Sequence, residues 1–268
     1  MPKTVLITGA SSGIGEATAR RFLAAGWNVA ACMRTIEKSR LDASPRLAVL
    51  RMDVTHEPSI AAAVTAAETR FGAIDVLVNN AGYALLGPLE GISPDELRRQ
   101  IDTNVHGLAA VTRHVLPGMR ARRDGIIVNI ASVGGRMAFP FAAAYHATKF
   151  AVEGLSESLR FELLPFGIRV KVIEPGAVRT NFLSGSARWT THEAYTEEMR
   201  RFRIMSDRLD ERSPTPEAVA ATILRAATDG SERLRYQAVA GPFPLLHKIL
   251  PDFLWRRLIT YEVARRSK

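Results

Sequence analysis

Short apolar runs rich in Val and Ile alternate along the chain with longer, alanine-rich segments whose apolar residues recur with a helical period. This alternation is typical of strand–helix–strand units around a parallel sheet. Strands are predicted at residues 4–8, 28–33, 47–52, 74–79, 125–131, 169–174 and 235–240. Helices are predicted at residues 13–25, 57–71, 94–120, 142–165 and 216–228. The predicted fold class is α/β, a single doubly wound parallel seven-stranded sheet with helices on both faces.

Two segments depart from the alternation. Residues 176–214 are long and weakly periodic, which is typical either of a mobile lid at the mouth of an α/β site or of an ordinary surface loop. After Gly241, an amphipathic final helix is predicted by the apolar residues Phe253, Leu254, Trp255, Leu258 and Ile259. Prolines at 242, 244 and 251 favour packing of this tail over the protein.

The composition indicates a globular protein, since 47% of the 268 residues are hydrophobic and 24% are charged. Cys32 is the single cysteine, which excludes an internal disulfide and fits a reducing compartment, and its apolar neighbours indicate burial. The apolar N-terminal stretch is too short for a signal peptide, and no run approaches the roughly 18 apolar residues of a membrane span. We therefore expect a cytoplasmic protein without a transmembrane segment.

The formal net charge of +9 is unevenly distributed. Over most of the chain basic and acidic residues are interspersed, which indicates a solvated surface. The tail after Gly241 carries Lys248, Arg256, Arg257, Arg265, Arg266 and Lys268 against only Asp252 and Glu262. A nucleic-acid partner requires clustered basic residues interleaved with aromatics, so we expect none. Weak peripheral membrane contact by the basic tail stays an alternative to its packing on the protein.

The first predicted strand runs into a glycine-rich turn that opens a helix. Glycines permit a tight turn and a close approach of the backbone to a pyrophosphate, which the helix N-terminus stabilises. The spacing is Gly-x3-Gly-x-Gly, and a purely structural turn is the alternative. The second strand ends at Arg34, with no acid before Glu37. Because arginine there pairs with the 2′-phosphate, we predict NADP(H) over NAD(H), unless Arg34 is only a solvated strand-end residue.

Candidate catalytic residues lie farther along the chain. Tyr145 and Lys149 are four residues apart and so share one helix face, where the ammonium is expected to lower the pKa of the phenol for acid–base catalysis. Ser132 follows the fifth strand and can hydrogen-bond a reacting oxygen. Asn104 is a poor helix former inside a predicted helix, where it can hold a bend and a water. His146 is interpreted as an ordinary helix residue.

In their order and spacing these motifs resemble the short-chain dehydrogenase/reductase family, a group of Rossmann-fold oxidoreductases, from Lys3 to about Ala240. The family's Thr-Gly-x3-Gly-x-Gly turn matches residues 8–15, and its Asn-Asn-Ala-Gly turn matches residues 79–82. The resemblance implies catalytic roles for Asn104, Ser132, Tyr145 and Lys149. It implies cofactor contacts by Gly9, Ser11, Ser12, Gly13, Ile14, Gly15, Arg34, Asp53, Val54, Asn80, Ala81, Gly82, Tyr145, Lys149, Pro175, Gly176, Val178 and Thr180. No residue is assigned to a metal.

The resemblance implies hydride transfer between nicotinamide and a substrate carbon while Tyr145 exchanges the proton. Lys149 then contacts the nicotinamide ribose, Ser132 orients the oxygen, and Asn104 carries a water that links Lys149 to solvent. We expect residues 1–240 to form the dinucleotide-binding and catalytic domain, with 241–268 as a C-terminal helical extension of it. We also expect a homodimer or homotetramer.

The substrate is the least constrained part of the hypothesis. The candidate pocket residues are apolar and favour a lipophilic alcohol, ketone or aldehyde, although burial in the core or in a subunit interface would explain them equally well. They are Leu85, Leu86, Val133, Phe139, Phe141, Phe182, Phe202 and Met205. A non-enzymatic NADP-binding sensor on the same fold is the alternative function. Such a sensor would need the glycine turn but not the Tyr145–Lys149 pair.

Overall fold

The computed structural model describes residues 2–179 and 187–265. The strands are β1 Thr4–Thr8, β2 Asn28–Met33, β3 Leu47–Arg51, β4 Val76–Asn79, β5 Leu85–Leu86, β6 Gly125–Ile130, β7 Ile168–Pro175, β8 Arg188–Trp189 and β9 Arg235–Ala238. The helices are α1 Gly13–Ala24, α2 Glu57–Phe71, α3 Pro94–Ile101, α4 Gly107–Arg122, α5 Ala143–Leu163, α6 Thr196–Arg212, α7 Pro216–Thr228, α8 Phe243–Ile249 and α9 Asp252–Arg265.

Seven parallel strands form the main sheet in the order β3-β2-β1-β4-β6-β7-β9. Every residue of β1, β4 and β6 is buried, because helices cover both faces of the sheet. One apolar cluster packs α2, α4 and α5 on one face, and a second packs α1 and α7 on the other. The predicted α/β fold is therefore confirmed, with strand limits that differ from the prediction by three residues or fewer.

The predicted helix over residues 94–120 is wrong as a single element. It divides into α3 and α4 around a π-helical turn, Asp102–His106. In this turn the backbone hydrogen bonds span five residues instead of the four of an α-helix. Asn104 lies in this turn, and its side chain bonds to groups on neighbouring segments. What lies at Asn104 is thus a π-helical turn, and the bend expected there stays a prediction.

The segment 176–214 contains a 17-residue helix, α6, and a short strand, β8, that the prediction of a weakly periodic loop missed. Few residues of α6 are apolar, so the sequence gives little helical period. Ion pairs one turn apart support the helix instead, since Glu197 contacts both Arg200 and Arg201 at 2.8 Å.

The tail forms two helices where one was predicted. Leu250, between α8 and α9, is extended with φ −81° and ψ 137°, as is usual for a residue before proline. Pro251 follows it and interrupts the backbone bonds of a continuous helix. The His247 ring lies 4.9 Å from the Trp255 ring and joins the two helices. Among the described helices, none is both long and apolar enough to cross a membrane.

Candidate active site

A cavity of about 1040 Å³ opens at the carboxyl ends of β1, β2, β4, β6 and β7. The chain order reverses between β1 and β4, which is where open α/β sheets form their ligand crevice. Most of the predicted site residues line this cavity: Gly9, Ser11, Ser12, Gly13, Ile14, Arg34, Asp53, Val54, Asn80, Ala81, Gly82, Ser132, Tyr145, Lys149, Pro175, Gly176 and Val178. Gly15 and Asn104 do not line it, and Thr180 lies outside the described residues.

The turn after β1 is held in a conformation that needs glycine. Gly9 and Gly13 have φ of +68° and +56°, in the left-handed region. Gly15 is required for packing, because a Cβ there would lie 2.2 Å from the Gly9 carbonyl oxygen. The hydroxyl of Thr8 accepts the N–H groups of Asn80 and Ala81, each at 3.0 Å. The turn is therefore fixed against the end of β4.

This turn fits the pyrophosphate of a dinucleotide. The side-chain amide of Asn80 donates hydrogen bonds to the carbonyls of Thr8 and Gly9, at 3.0 and 3.1 Å, and so fixes the backbone where the glycine turn begins. At the N-terminus of α1, the side chain of Ser12 makes no capping bond, which leaves the first-turn N–H groups available to a ligand. The same turn lines the cavity.

The neighbouring part of the cavity is basic. Exposed Arg34 and Lys38 both line it, and Lys38 was missed although the sequence places a second cation four residues after Arg34. Glu37, the acid nearest to Arg34 along the sequence, forms an ion pair with Arg51 at 3.2 Å. Burial alone would raise the pKa of Asp53, but hydrogen bonds from Thr55, helped by Arg34, lower it overall, so the carboxylate is ionised at neutral pH.

Ser132, Tyr145 and Lys149 meet where β6 and α5 approach the cavity. Burial raises the pKa of the Tyr145 phenol to about 12, and a hydrogen bond with Ser132 opposes this rise. Burial also lowers the pKa of Lys149 to about 8, while the nearby carboxylate of Glu153 raises it. The Lys149 Nζ lies 5.7 Å from the centre of the Tyr145 ring and donates to the Ile130 carbonyl at 2.8 Å.

The predicted lowering of the Tyr145 pKa by Lys149 is therefore wrong for the chain alone. Burial decides the sign, because a phenolate loses more solvation than a phenol when water is removed. At neutral pH Tyr145 holds its proton next to the Ser132 hydroxyl. This arrangement suits Tyr145 to donate a proton to a bound oxygen.

Asn104 is buried behind the cavity wall and connects three segments. Its amide donates to the Tyr83 carbonyl at 2.9 Å and to the Thr148 hydroxyl at 3.1 Å, and its Oδ1 accepts the Tyr83 N–H at 3.1 Å. Both amide protons are thus engaged by protein atoms. Asn104 fixes the loop after β4 against α5, and a water bound to its remaining lone pair stays a prediction.

The prediction that His146 is an ordinary helix residue is wrong. Its ring is buried, with Nδ1 2.8 Å from the Gly134 carbonyl and Nε2 3.0 Å from the Phe139 N–H. Both bonds form together only when neutral imidazole carries its proton on Nδ1, and burial lowers the pKa of His146. Gly134 and Phe139 both line the cavity, so His146 holds the loop after β6. Residue spacing gave no signal, because both partners are backbone groups.

A buried charged cluster behind Lys149 was also missed. Glu153 accepts a hydrogen bond from Arg235 at 3.0 Å, and Arg235 lies 3.7 Å from Glu174. Glu174 is also 3.6 Å from Arg136. Burial and the neighbouring Glu174 charge raise the pKa of Glu153, against the effect of Arg235. The four-residue spacing of Lys149 and Glu153 was the one available signal for this cluster.

Apolar residues form another wall of the cavity. Of the predicted pocket residues, Leu86, Val133, Phe139, Phe202 and Met205 line it. Two others do not, since Leu85 is buried in the core and Phe141 instead packs its ring 5.4 Å from that of Phe202. Phe182 lies outside the described residues.

The tail contributes to this wall from one side of α9. Ile259 lines the cavity, and Trp255 is buried. The predicted grouping of Phe253 and Leu254 with the inward-facing residues is wrong, because both are exposed. At 100° per residue, Phe253 and Leu254 lie on the side of α9 away from Trp255.

The sequence matches the family described as short chain dehydrogenase over residues 3–191. The 17-beta-hydroxysteroid dehydrogenase type 1 of Homo sapiens is 37% identical over 267 residues, covering 92% of this chain and 81% of that protein. Retinol dehydrogenase 8 of Homo sapiens is 42% identical over 191 residues, covering 68% of this chain and 60% of that protein.

Solved structures extend the similarity to the whole fold. A short-chain dehydrogenase from Streptomyces avermitilis superposes with a TM-score of 0.84 at 38% identity, covering 99% of this chain and 97% of that chain. ElxO with NADP bound superposes with a TM-score of 0.74 at 28% identity, covering 88% of this chain and 98% of that chain. A 3-ketoacyl-(acyl-carrier-protein) reductase from Brucella melitensis complexed with NADH has a TM-score of 0.74 at 29% identity. The superposition covers 88% of this chain and 96% of that chain. Two of these three neighbours are thus described with a nicotinamide cofactor bound.

Proposed function

The chain belongs to the short-chain dehydrogenase/reductase family of oxidoreductases, and we propose that it moves a hydride between NADP(H) and a carbonyl or alcohol carbon of a lipophilic substrate. The observation that carries this proposal is the convergence of Ser132, Tyr145 and Lys149 on the cavity that the glycine turn also lines. A non-enzymatic NADP sensor would need only the turn. The proton-transfer pair and the family both favour the enzyme.

Each catalytic side chain has a role that follows from its position. Ser132 orients the substrate oxygen, and Tyr145, protonated at neutral pH, donates a proton to that oxygen. Lys149 would hold the nicotinamide ribose beside Tyr145, since its Nζ lies 5.7 Å from the centre of the Tyr145 ring. The bound nicotinamide supplies the hydride for reduction, or accepts it in the reverse direction.

The proton role is tested by Tyr145→Phe, which keeps the ring and removes the hydroxyl. Turnover should fall about 10²–10⁴-fold, the usual contribution of positioned acid–base catalysis, while NADPH binding followed by nicotinamide fluorescence stays nearly unchanged. Tyr195→Phe is the matched control, because the Tyr195 hydroxyl donates to Glu90 at the surface, 3.2 Å away. Turnover of Tyr145→Phe within a few-fold of the parent would remove Tyr145 from the mechanism.

The preference for NADP(H) rests on the basic end of the cavity, where Arg34 and Lys38 lie without a free acid at the end of β2. Arg34→Ala should weaken NADPH binding about 10–100-fold more than NADH binding, as expected for one charge-assisted bond to the 2′-phosphate. Arg46→Ala is the control, since Arg46 is exposed just before β3, does not line the cavity and bonds to the Gly26 carbonyl. Equal losses for the two cofactors would refute the pairing.

A lipophilic substrate is supported by the apolar wall, which includes Leu86, Phe139 and Phe202, and by the names of two relatives, which refer to a hydroxysteroid and to retinol. The test is a panel of hydroxysteroids, retinoids, long-chain ketones and short polar ketones, followed by the absorbance of reduced nicotinamide. Steroid-like or long-chain compounds should give the higher kcat/KM. A preference for short polar ketones would contradict this choice of substrate.

We further propose a cytoplasmic homodimer or homotetramer in which residues 241–268 extend the domain of residues 1–240. Exposed apolar side chains on α5, Phe150 and Phe161, support contact with a second copy, as does Leu164 just beyond the helix. Sedimentation velocity measures the oligomeric state, and a monomer at micromolar concentration would contradict this expectation.

A further inference from the structure

The two helices of the tail expose an unusual set of side chains. Leu245, Ile249 and Phe253 are 64%, 63% and 70% exposed, and Leu254 and Tyr261 are also exposed. Isolated surface apolar residues are common, but a cluster within 17 residues marks a surface that contacts something. We call Leu245, Ile249, Phe253, Leu254 and Tyr261 the tail patch.

The tail patch is arranged on one side of each helix. Phe253, Leu254, Arg257 and Tyr261 fall within roughly 100° of arc on α9. Trp255, on the opposite side, is buried. On α8, Leu245 and Ile249 are four residues apart and share a face with Lys248 beside them. α9 therefore packs one side inward and presents apolar residues on the other, and α8 presents Leu245 and Ile249 on one side.

Basic side chains lie among these apolar ones. Lys248, Arg256 and Arg257 are exposed, whereas the acidic Asp252 is engaged by Arg256 at 2.8 Å. Lysine and arginine on an apolar face extend their charged ends to a polar layer while the apolar groups insert below it. This combination is typical of helices that lie in the interface of an anionic bilayer.

From this arrangement we propose that the tail patch docks on an anionic phospholipid surface, with Leu245, Ile249 and Phe253 inserted and the basic residues at the headgroups. A second copy of the chain is a poorer occupant. A symmetric contact would bring the same positive residues of both copies together, with like charges opposed across the interface. A surface of anionic headgroups instead complements the exposed Lys248 and Arg257.

If the substrate is lipophilic, as in the proposed function, docking would also affect how the substrate reaches the cavity. Ile259 lines the cavity on the inner side of the same helix whose outer side carries Phe253. A bilayer bound at the tail patch would lie one helix diameter from the apolar wall. A lipophilic substrate dissolved in the bilayer would then be concentrated next to the site.

The test is co-sedimentation of the full-length protein with vesicles, a readout that does not depend on turnover. Vesicles of roughly three parts phosphatidylcholine to one part phosphatidylserine should bind the protein, and phosphatidylcholine alone should bind it much less. Leu245→Ser and Phe253→Ser should each lower the partition coefficient about tenfold or more. Arg256→Gln with Arg257→Gln should lower it about fivefold per charge and weaken its salt dependence, with Lys248 still present.

Leu89→Ser and Ile36→Ser are the controls, since these side chains are 59% and 37% exposed elsewhere on the surface. Hydrogen exchange of the unmodified protein gives a second measurement, in which vesicles should protect residues 245–261. Absence of binding to the anionic vesicles would overturn the proposal, as would equal losses in the controls. If Phe253→Ser instead changed the sedimentation coefficient and left vesicle binding intact, the tail patch would be a contact between copies.

Discussion

His146→Leu should destabilise the protein although it places an apolar side chain of similar size at this buried position. The change removes the partner of a buried backbone group, the Gly134 carbonyl, and of a part-buried one, the Phe139 N–H, which His146 binds at 2.8 and 3.0 Å. An unsatisfied buried polar group costs about 1–3 kcal/mol. The combined loss should be about 2–4 kcal/mol, toward the lower end where the loop relaxes to admit water.

Urea unfolding followed by circular dichroism measures this loss as a shift of the midpoint at constant m-value. His114→Leu is the matched control, because His114 bonds to the exposed carboxylate of Glu57 at 2.6 Å. A surface pair of that kind contributes about 1 kcal/mol or less. If the two variants lost equal stability, the backbone bonds of His146 would not hold the loop.

The pH dependence gives an independent check of the same residue. The pKa of His146 is lowered from its ordinary value of 6.5, so the unfolded chain takes up this proton first as pH falls. The parent should lose stability through this group as pH falls below 6.5 toward the folded-state pKa. His146→Leu should lack that part of the loss. Parallel stability curves between about pH 7 and pH 5 would contradict a buried neutral imidazole.

Two further substitutions test the cavity. Gly15→Ala would place a methyl group 2.2 Å from the Gly9 carbonyl oxygen, so the turn must shift; NADPH affinity should fall about tenfold or more while circular dichroism stays unchanged, and unchanged affinity would contradict this. Glu153→Gln removes the charge that raises the pKa of Lys149, so this pKa should fall further below about 8. The basic limb of the kcat/KM profile should then move to lower pH, and an unmoved limb would show that Lys149 does not control it.

The main sheet was predictable because its strands are buried on both faces. A strand such as β1, with no exposed position, has an apolar centre without the alternating polar residues of a half-exposed strand, and such runs are visible in the sequence. The helices with an apolar stripe were predicted for the same reason. α6 was missed because its stability comes from ion pairs and from packing of Phe202 on Phe141 and Trp189, which a periodicity of apolar residues does not register.

The properties of the site also divide into those that the sequence predicts and those that depend on the fold. Ser132, Tyr145 and Lys149 were predictable because their chemistry is carried by residue type and spacing along one strand end and one helix. The role of His146 was not, since its partners are the main-chain atoms of a loop. The sign of the Tyr145 pKa shift also depends on burial, which is a property of the folded cavity rather than of neighbouring residues.

The cavity draws its parts from different regions of the chain. The glycine turn, Ser132 and Tyr145 come from residues before β7 and are fixed by the main sheet and the helix packed on it. Much of the apolar wall comes later, from Phe202 and Met205 on α6 and Ile259 on α9. These two helices lie outside the layers that bury the sheet, so their residues can change without disturbing the phosphate turn or the proton-transfer pair. The residues proposed to hold the cofactor and transfer the proton are thus positioned separately from those that form most of the apolar wall.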